Sequence, residues 1–247
     1  MNPYARSPRW LIYQYTPEYH EEKITDSSII EGFLGISMED GVYSPSELIT
    51  SLELIMPKLE ELYNTKVRHY VVKRHTELVC EQFERFPFKF NSEYVSIDMM
   101  RIVLALHDIG KAIDRMHQHE HTITLIKELW TQTPFTQYEL KLAEILLKND
   151  NMGAYFRGKL SSEEVKNEII GDAKTLNIPS EVLLEYKMIL YQCDISSYTK
   201  DAGGLEYLEH MFKYKNNEKV FDDEEGIIAM SDDYAKRYNQ LKMEIHG

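Results

Sequence analysis

The sequence predicts an all-α protein built as a helical bundle. Apolar residues recur at three- and four-residue spacing in segment after segment, each bracketed by capping or breaking residues. Strict apolar–polar alternation is scarce, so strands have little to build on. With 247 residues, 43% of them hydrophobic, the chain is long enough to bury one sizeable core.

Residues 1–45 carry Pro3, Pro8, Pro17, several tyrosines, Gly32, Gly35 and Gly41, and read as an irregular N-terminal extension or lid with room for one short helix. The bundle then occupies 46–247. Ser44-Pro45-Ser46-Glu47 is a helix start, and Leu48, Leu52, Ile55, Leu59 and Leu62 continue it, with Pro57 as a kink. A second helix is expected from about Lys66 to Phe86, with Val67, Tyr70, Val71, Leu78, Val79 and Phe83 on its apolar face and His75 beside them. Pro87 to Tyr94 is a loop. Ser96 or Asp98 caps the next helix, whose apolar run from Met99 to Leu106 is buried and for which Gly110 supplies a stop.

His117 to His121 opens a helix that Thr133-Pro134 breaks, and Glu139 to Leu147 forms another, ended by Asn149 to Gly153. Ser161-Ser162-Glu163-Glu164 is a capping signature for a helix through Leu176. Ile178-Pro179-Ser180-Glu181 starts one that ends near Cys193-Asp194. Gly203-Gly204 marks a turn before Leu205 to Phe212, Lys213 to Gly226 is a charged loop, and Ile227 to Ile245 a final helix.

Composition narrows the function. A formal net charge of −13 repels a nucleic-acid backbone and argues against broad DNA or RNA binding. It leaves room for a small phosphate ester, because a local metal and one or two lysines reverse the potential within a pocket. No apolar run reaches the roughly 18 residues of a membrane span, and the segment Met1 to Trp10 lacks the apolar stretch of a signal peptide. Cys80 and Cys193 stand alone, without CxxC spacing; a reduced, cytoplasmic protein is expected.

The chemistry gathers at His107-Asp108. Neighbouring residues on a helix point about 100° apart, so these two can straddle one ion but cannot stack on one face. A buried histidine and carboxylate are costly unless paired or metal-bound. His75 lies 32 positions before His107, and Asp194 lies 86 after Asp108, each on a different predicted helix. Two imidazoles and two carboxylates suit Mn, Fe, Co, Ni or Zn better than Ca or Mg. Four ligands that leave positions open for water describe a catalytic site rather than a closed structural one. For each residue an ordinary role stands beside this one. His107-Asp108 and Asp194 would serve as helix-end caps, His75 as a half-buried core histidine with His69 as its competitor, and Lys111 as a cation favouring a helix C-terminus.

His75, His107-Asp108 and Asp194 resemble the H…HD…D pattern of the HD-domain metal-dependent phosphohydrolase superfamily, and His107-Asp108-Ile109-Gly110-Lys111 looks like its HDIGK form. His75-Thr76-Glu77-Leu78-Val79 and Cys193-Asp194-Ile195-Ser196-Ser197 are similar to the segments carrying its first and last ligands, so the resemblance covers about residues 65–200. It implies an HD-domain-like bundle with a metal in its core, held by His75, His107, Asp108 and Asp194. The implied cofactor is one divalent ion (Mn, Fe, Co, Ni, Zn or Mg), with a second ion open and Asp108 bridging if two bind.

The implied reaction is hydrolysis of a phosphoester of a nucleotide or another small phosphorylated molecule by a metal-activated water. In that reading Asp108, Lys111 and His121 are catalytic, His121 serving a second metal or the leaving oxygen, and Lys111 and Arg115 bind the substrate phosphate. Arg74 and Arg157 are further phosphate candidates. The sequence departs from the family where a further histidine is expected, near residue 149. Asn149 and Asp150 stand there, with Asp150 a substitute ligand or a simple cap. The GYP signature of cyclic-di-GMP phosphodiesterases is missing. The departure favours an alternative in which the fold serves as a metal- or nucleotide-binding sensor.

Overall fold

The computed structural model describes residues 24–36, 43–198, 208 and 210–246. Their architecture is all-α, with only two-residue strands paired in three short antiparallel hairpins. No helix among the described residues is long and apolar enough to cross a membrane.

The short helix allowed for in the N-terminal region is α1 (Ser27–Leu34), capped by the Asp26 carboxylate and closed by Gly35 in the left-handed region. A buried carboxylate ties this segment down. Glu139 is fully buried and accepts from the backbone N–H and hydroxyl of Thr25 as well as from those of Thr136. Helix α2 (Pro45–Ile55) starts on Pro45 as expected, but Pro57 ends it rather than kinking it, and α3 (Lys58–Asn64) begins afresh.

The helix expected from Lys66 is corrected. Residues 66–71 form a hairpin, β1 (Lys66–Val67) against β2 (Tyr70–Val71), and helix α4 (Val72–Arg85) starts only afterwards. Val67, Tyr70 and Val71 satisfy the spacing of a helix face, yet they are β-branched or aromatic and turn readily through Arg68, whose φ is 53°. His69 falls in that exposed turn, and His75 enters the core on α4.

Helix α5 (Ile97–Leu106), capped by Ser96, is the centre of the bundle: every residue from Asp98 to Leu106 is buried. Around it pack α2, α4 and α7 (Gln137–Leu147). A 3-10 turn (Ile109–Ala112) follows and lies against α6 (Gln118–Trp130). Gly110 occupies that turn for a reason other than helix termination. A Cβ there would stand 2.0 Å from the Gln118 carbonyl oxygen, and its N–H donates to Thr122 Oγ1.

Asn149 to Gly153 does not simply end a helix. Asp150 caps a short helix α8 (Asn151–Phe156). Helix α9 (Ser162–Leu176) carries the full capping box between Ser161 and Glu164. Helix α10 (Ser180–Ser197) runs one turn past Asp194 and packs along α4. The predicted turn at Gly203-Gly204 and half of Leu205–Phe212 (205–207 and 209) lie outside the described residues. The charged loop at 213–226 is instead organised as β3 (Tyr214–Lys215) with β4 (Glu218–Lys219), followed by β5 (Phe221–Asp222), which pairs with β6 (Ile227–Ile228). The final helix α11 therefore spans Asp232–His246, not Ile227 onward. Gln192 of α10 joins this region to the bundle, its buried amide donating to the Ile228 carbonyl and accepting from the Ile228 N–H.

Candidate metal centre

Three helices each deliver a piece of one buried group. α4 presents His75 on its first turn, the end of α5 presents His107 and Asp108, and the last turns of α10 present Asp194. One ligand atom from each of the four residues lies within 4.8 Å of all the others. His75 Nε2 is 3.0 Å from Asp194 Oδ1 and 3.3 Å from Asp108 Oδ2. His107 Nε2 is 3.6 Å from Asp108 Oδ1 and 3.8 Å from Asp194 Oδ1. Only Asp194 retains appreciable side-chain exposure, 26%, which puts the open side of the group at that carboxylate.

The hydrogen bonding around the imidazoles aims both rings inward. His107 Nδ1 lies 2.7 Å from the Leu104 carbonyl oxygen, an acceptor only, so this nitrogen carries the proton and Nε2 of the neutral ring is a lone pair. His75 Nδ1 lies 3.3 Å from Ser197 Oγ. Facing the shared space are therefore acceptor atoms, and His75 Nε2, His107 Nε2 and Asp194 Oδ1 are buried without a well-formed hydrogen bond. Orphaned buried polar atoms are expensive. A cation satisfies imidazole lone pairs and carboxylate oxygens together, and the four residues could hold a metal ion. The residues present fit such an ion.

Electrostatics agree with that donor set. Burial disfavours the charged form of His75, but the negative charges of the adjacent Asp108 and Asp194 carboxylates outweigh it and raise the imidazole to about 9 when no ion competes. Burial raises the Asp108 carboxyl, yet His107, Lys111 and His75 together hold it well below the usual range. Asp194 is likewise depressed despite burial, by His107 and His75. Both carboxylates are thus ionised and ready to ligate.

The remaining candidates fall around this group unequally. Lys111 reaches back to Asp108, Nζ to Oδ2 2.5 Å, and is mostly buried. Arg115 is exposed on the segment that follows. His121 lies in the first turn of α6, outside the four-residue group. Asp150 is also outside it, its carboxylate accepting from the Gly153 N–H and pairing with Arg157. Arg74 points away to Glu77 and Glu81. Two tyrosines to which the sequence pattern gave no role at the site complete the surroundings. Tyr70 donates to Asp108 Oδ2 across 3.3 Å and its ring lies 4.7 Å from that of His75; the Tyr198 ring lies 4.9 Å from His75 on another side. Burial pushes the Tyr70 phenol up to about 12, so it remains a donor. Its signal was hidden because the hairpin that carries it reads as a helix face.

Compared with known proteins, the chain matches no protein-family model, no curated protein and no solved structure.

Proposed function

We propose that the protein is a metal-dependent phosphohydrolase acting on a nucleotide or another small phosphorylated molecule. One observation carries the reading: four ligand atoms from three helices converge within 4.8 Å, three of them buried without a well-formed hydrogen bond. The HDIGK-like run and its partners at His75 and Asp194 point the same way, as does the expected reduced, cytoplasmic setting. A divalent ion held by His75, His107, Asp108 and Asp194 would supply Lewis-acid polarisation of a phosphoryl oxygen and a bound water of lowered pKa.

The chain's own residues would do the rest. Lys111 neutralises anionic charge at the edge of the group, as a phosphate contact requires. Tyr70 and Lys111 both hold Asp108 Oδ2, leaving Asp108 Oδ1 directed at the His107 side of the group. The rings of Tyr70 and Tyr198 shield His75 from bulk water, which strengthens every charge interaction beside it. The proton for the leaving oxygen is assigned to His121, with Arg115 as a phosphate contact; both lie on the segment that follows Lys111.

The test is elemental analysis of the purified protein, followed by assay with an aryl phosphate and a nucleotide panel under each metal. The expected result is one transition-metal ion per chain and phosphate release that His107→Ala and Asp108→Ala abolish. Metal-free protein after reconstitution, or variants as active as the parent, overturns the proposal. A second reading is favoured by Asn149 and Asp150 standing where a further histidine is expected. There the site binds metal or nucleotide as a sensor, and the same panel would give thermal stabilisation without product.

A further inference from the structure

Ser197 sits one turn beyond Asp194 and is 1% exposed. Its hydroxyl proton is committed, because Oγ stands 2.6 Å from the backbone carbonyl of Asp194 and donates to it. With that proton used, Oγ can meet His75 Nδ1 at 3.3 Å only as an acceptor. The Nδ1 atom must then carry a hydrogen, and Nε2, which faces Asp108 and Asp194, is free to ligate. The turn holding Ser197 is itself fixed, since Lys219 Nζ donates to the adjoining Ser196 carbonyl across 2.9 Å. The serine's position therefore does not depend on His75 alone.

We infer that Ser197 is a positioning residue for the metal centre: one hydroxyl sets the tautomer and ring angle of His75 and, through the Asp194 carbonyl, clamps the α4 ligand to the α10 ligand. The inference rests on the proposed metal site and adds a residue to it. His107 has its equivalent in the Leu104 carbonyl, which belongs to the helix backbone and cannot be mutated away. His75 relies on a side chain instead, so its orientation is the one open to substitution. Partners of this kind typically change metal affinity by about 10- to 100-fold.

The experiment is metal titration of the full chain by calorimetry, with Co(II) and Zn(II), on the parent, Ser197→Ala and Ser197→Thr. Ser197→Ala is expected to weaken both metals about 10-fold or more. Ser197→Thr, which keeps the hydroxyl, is expected to stay near the parent. Nitrogen-15 spectra of the unmutated protein with Zn(II) provide a readout that needs no variant: His75 should show a protonated Nδ1 and a metal-bound Nε2. Equal affinity of parent and Ser197→Ala, equal loss in both variants, or an unprotonated His75 Nδ1 each overturns the role of Ser197 while leaving the metal site standing. A parent that binds neither metal removes the site and the inference together.

Discussion

Lys111 Nζ and Asp108 Oδ2 lie 2.5 Å apart, a largely buried ion pair beside a group that could hold a metal ion. Burial disfavours the ammonium, but Asp108 and Asp194 more than compensate and raise its pKa, so it stays charged. A positive charge here opposes a metal and favours an anionic substrate. Lys111→Met is therefore expected to lower kcat/KM on a phosphate ester about 10- to 100-fold, the worth of a charge-assisted hydrogen bond. Metal affinity, measured by calorimetry, should rise in the same variant. A fall in both would assign Lys111 to the support of Asp108 alone.

The proton on His75 competes with the ion. Its folded pKa of about 9 lies above its ordinary 6.5, so it stabilises the metal-free protein fully below pH 6.5, and that stability is lost as pH rises through 9. Thermal melts of metal-free protein should show this decline, and His75→Gln should abolish it. Metal affinity should run the other way, climbing with pH until His75 has lost its proton.

Lys187 presents the opposite case. It is buried on α10 with Nζ donating to the Ile145 carbonyl, and burial lowers its pKa to about 8. Because the folded value lies below the ordinary 10.5, the charged amine opposes folding fully below pH 8, and that penalty fades as pH rises towards 10.5. Lys187→Met is expected to stabilise the protein at pH 7 by about 2 kcal/mol. Urea melts at pH 7 and pH 10 would show the advantage shrinking at the higher value.

Glu139 anchors the segment around α1. Glu139→Ala would leave the buried donors of Thr25 and Thr136 without their acceptor, at an expected cost of about 3 kcal/mol. Glu139→Gln, with a single acceptor oxygen, should cost less. Limited proteolysis would report the change as new cleavage within residues 24–36.

Gly110→Ala would drive a Cβ against the backbone oxygen of Gln118, which cannot swing aside. The expected loss is about 2–3 kcal/mol. Displacement of the turn should also move Asp108, so metal affinity is expected to fall together with stability. A variant that melts like the parent would mean that α6 shifts freely.

Much of this was legible in the sequence because it is local. The cap at Ser161 and the buried run of α5 follow from neighbouring residues and are found as expected, and of the two candidates Ser96 and Asp98 it is Ser96 that caps α5. His75, His107, Asp108 and Asp194 were legible as a pattern of residue types, and the fold brings them together. What escaped depends on contacts distant in sequence. Tyr70 reaches Asp108 only because the hairpin forms, and β1 rests against the 3-10 turn that follows Asp108. Ser197 had no local mark, since its role appears only when α10 lies along α4. Asp150 was an open choice between ligand and cap, and its bonds to the Gly153 N–H and Arg157 are those of a cap.

The bond between Ser197 and His75 spans 122 positions of chain. A ribosome must therefore finish α10 before the first ligand can find its last companions. An ion held by all four residues would find its full set only once most of the chain had emerged, and any fragment ending short of α10 would lack Asp194. Ion uptake by the complete group would thus report on finished tertiary structure, and a chelator-sensitive colour or heat signal would time the last stage of folding rather than the first.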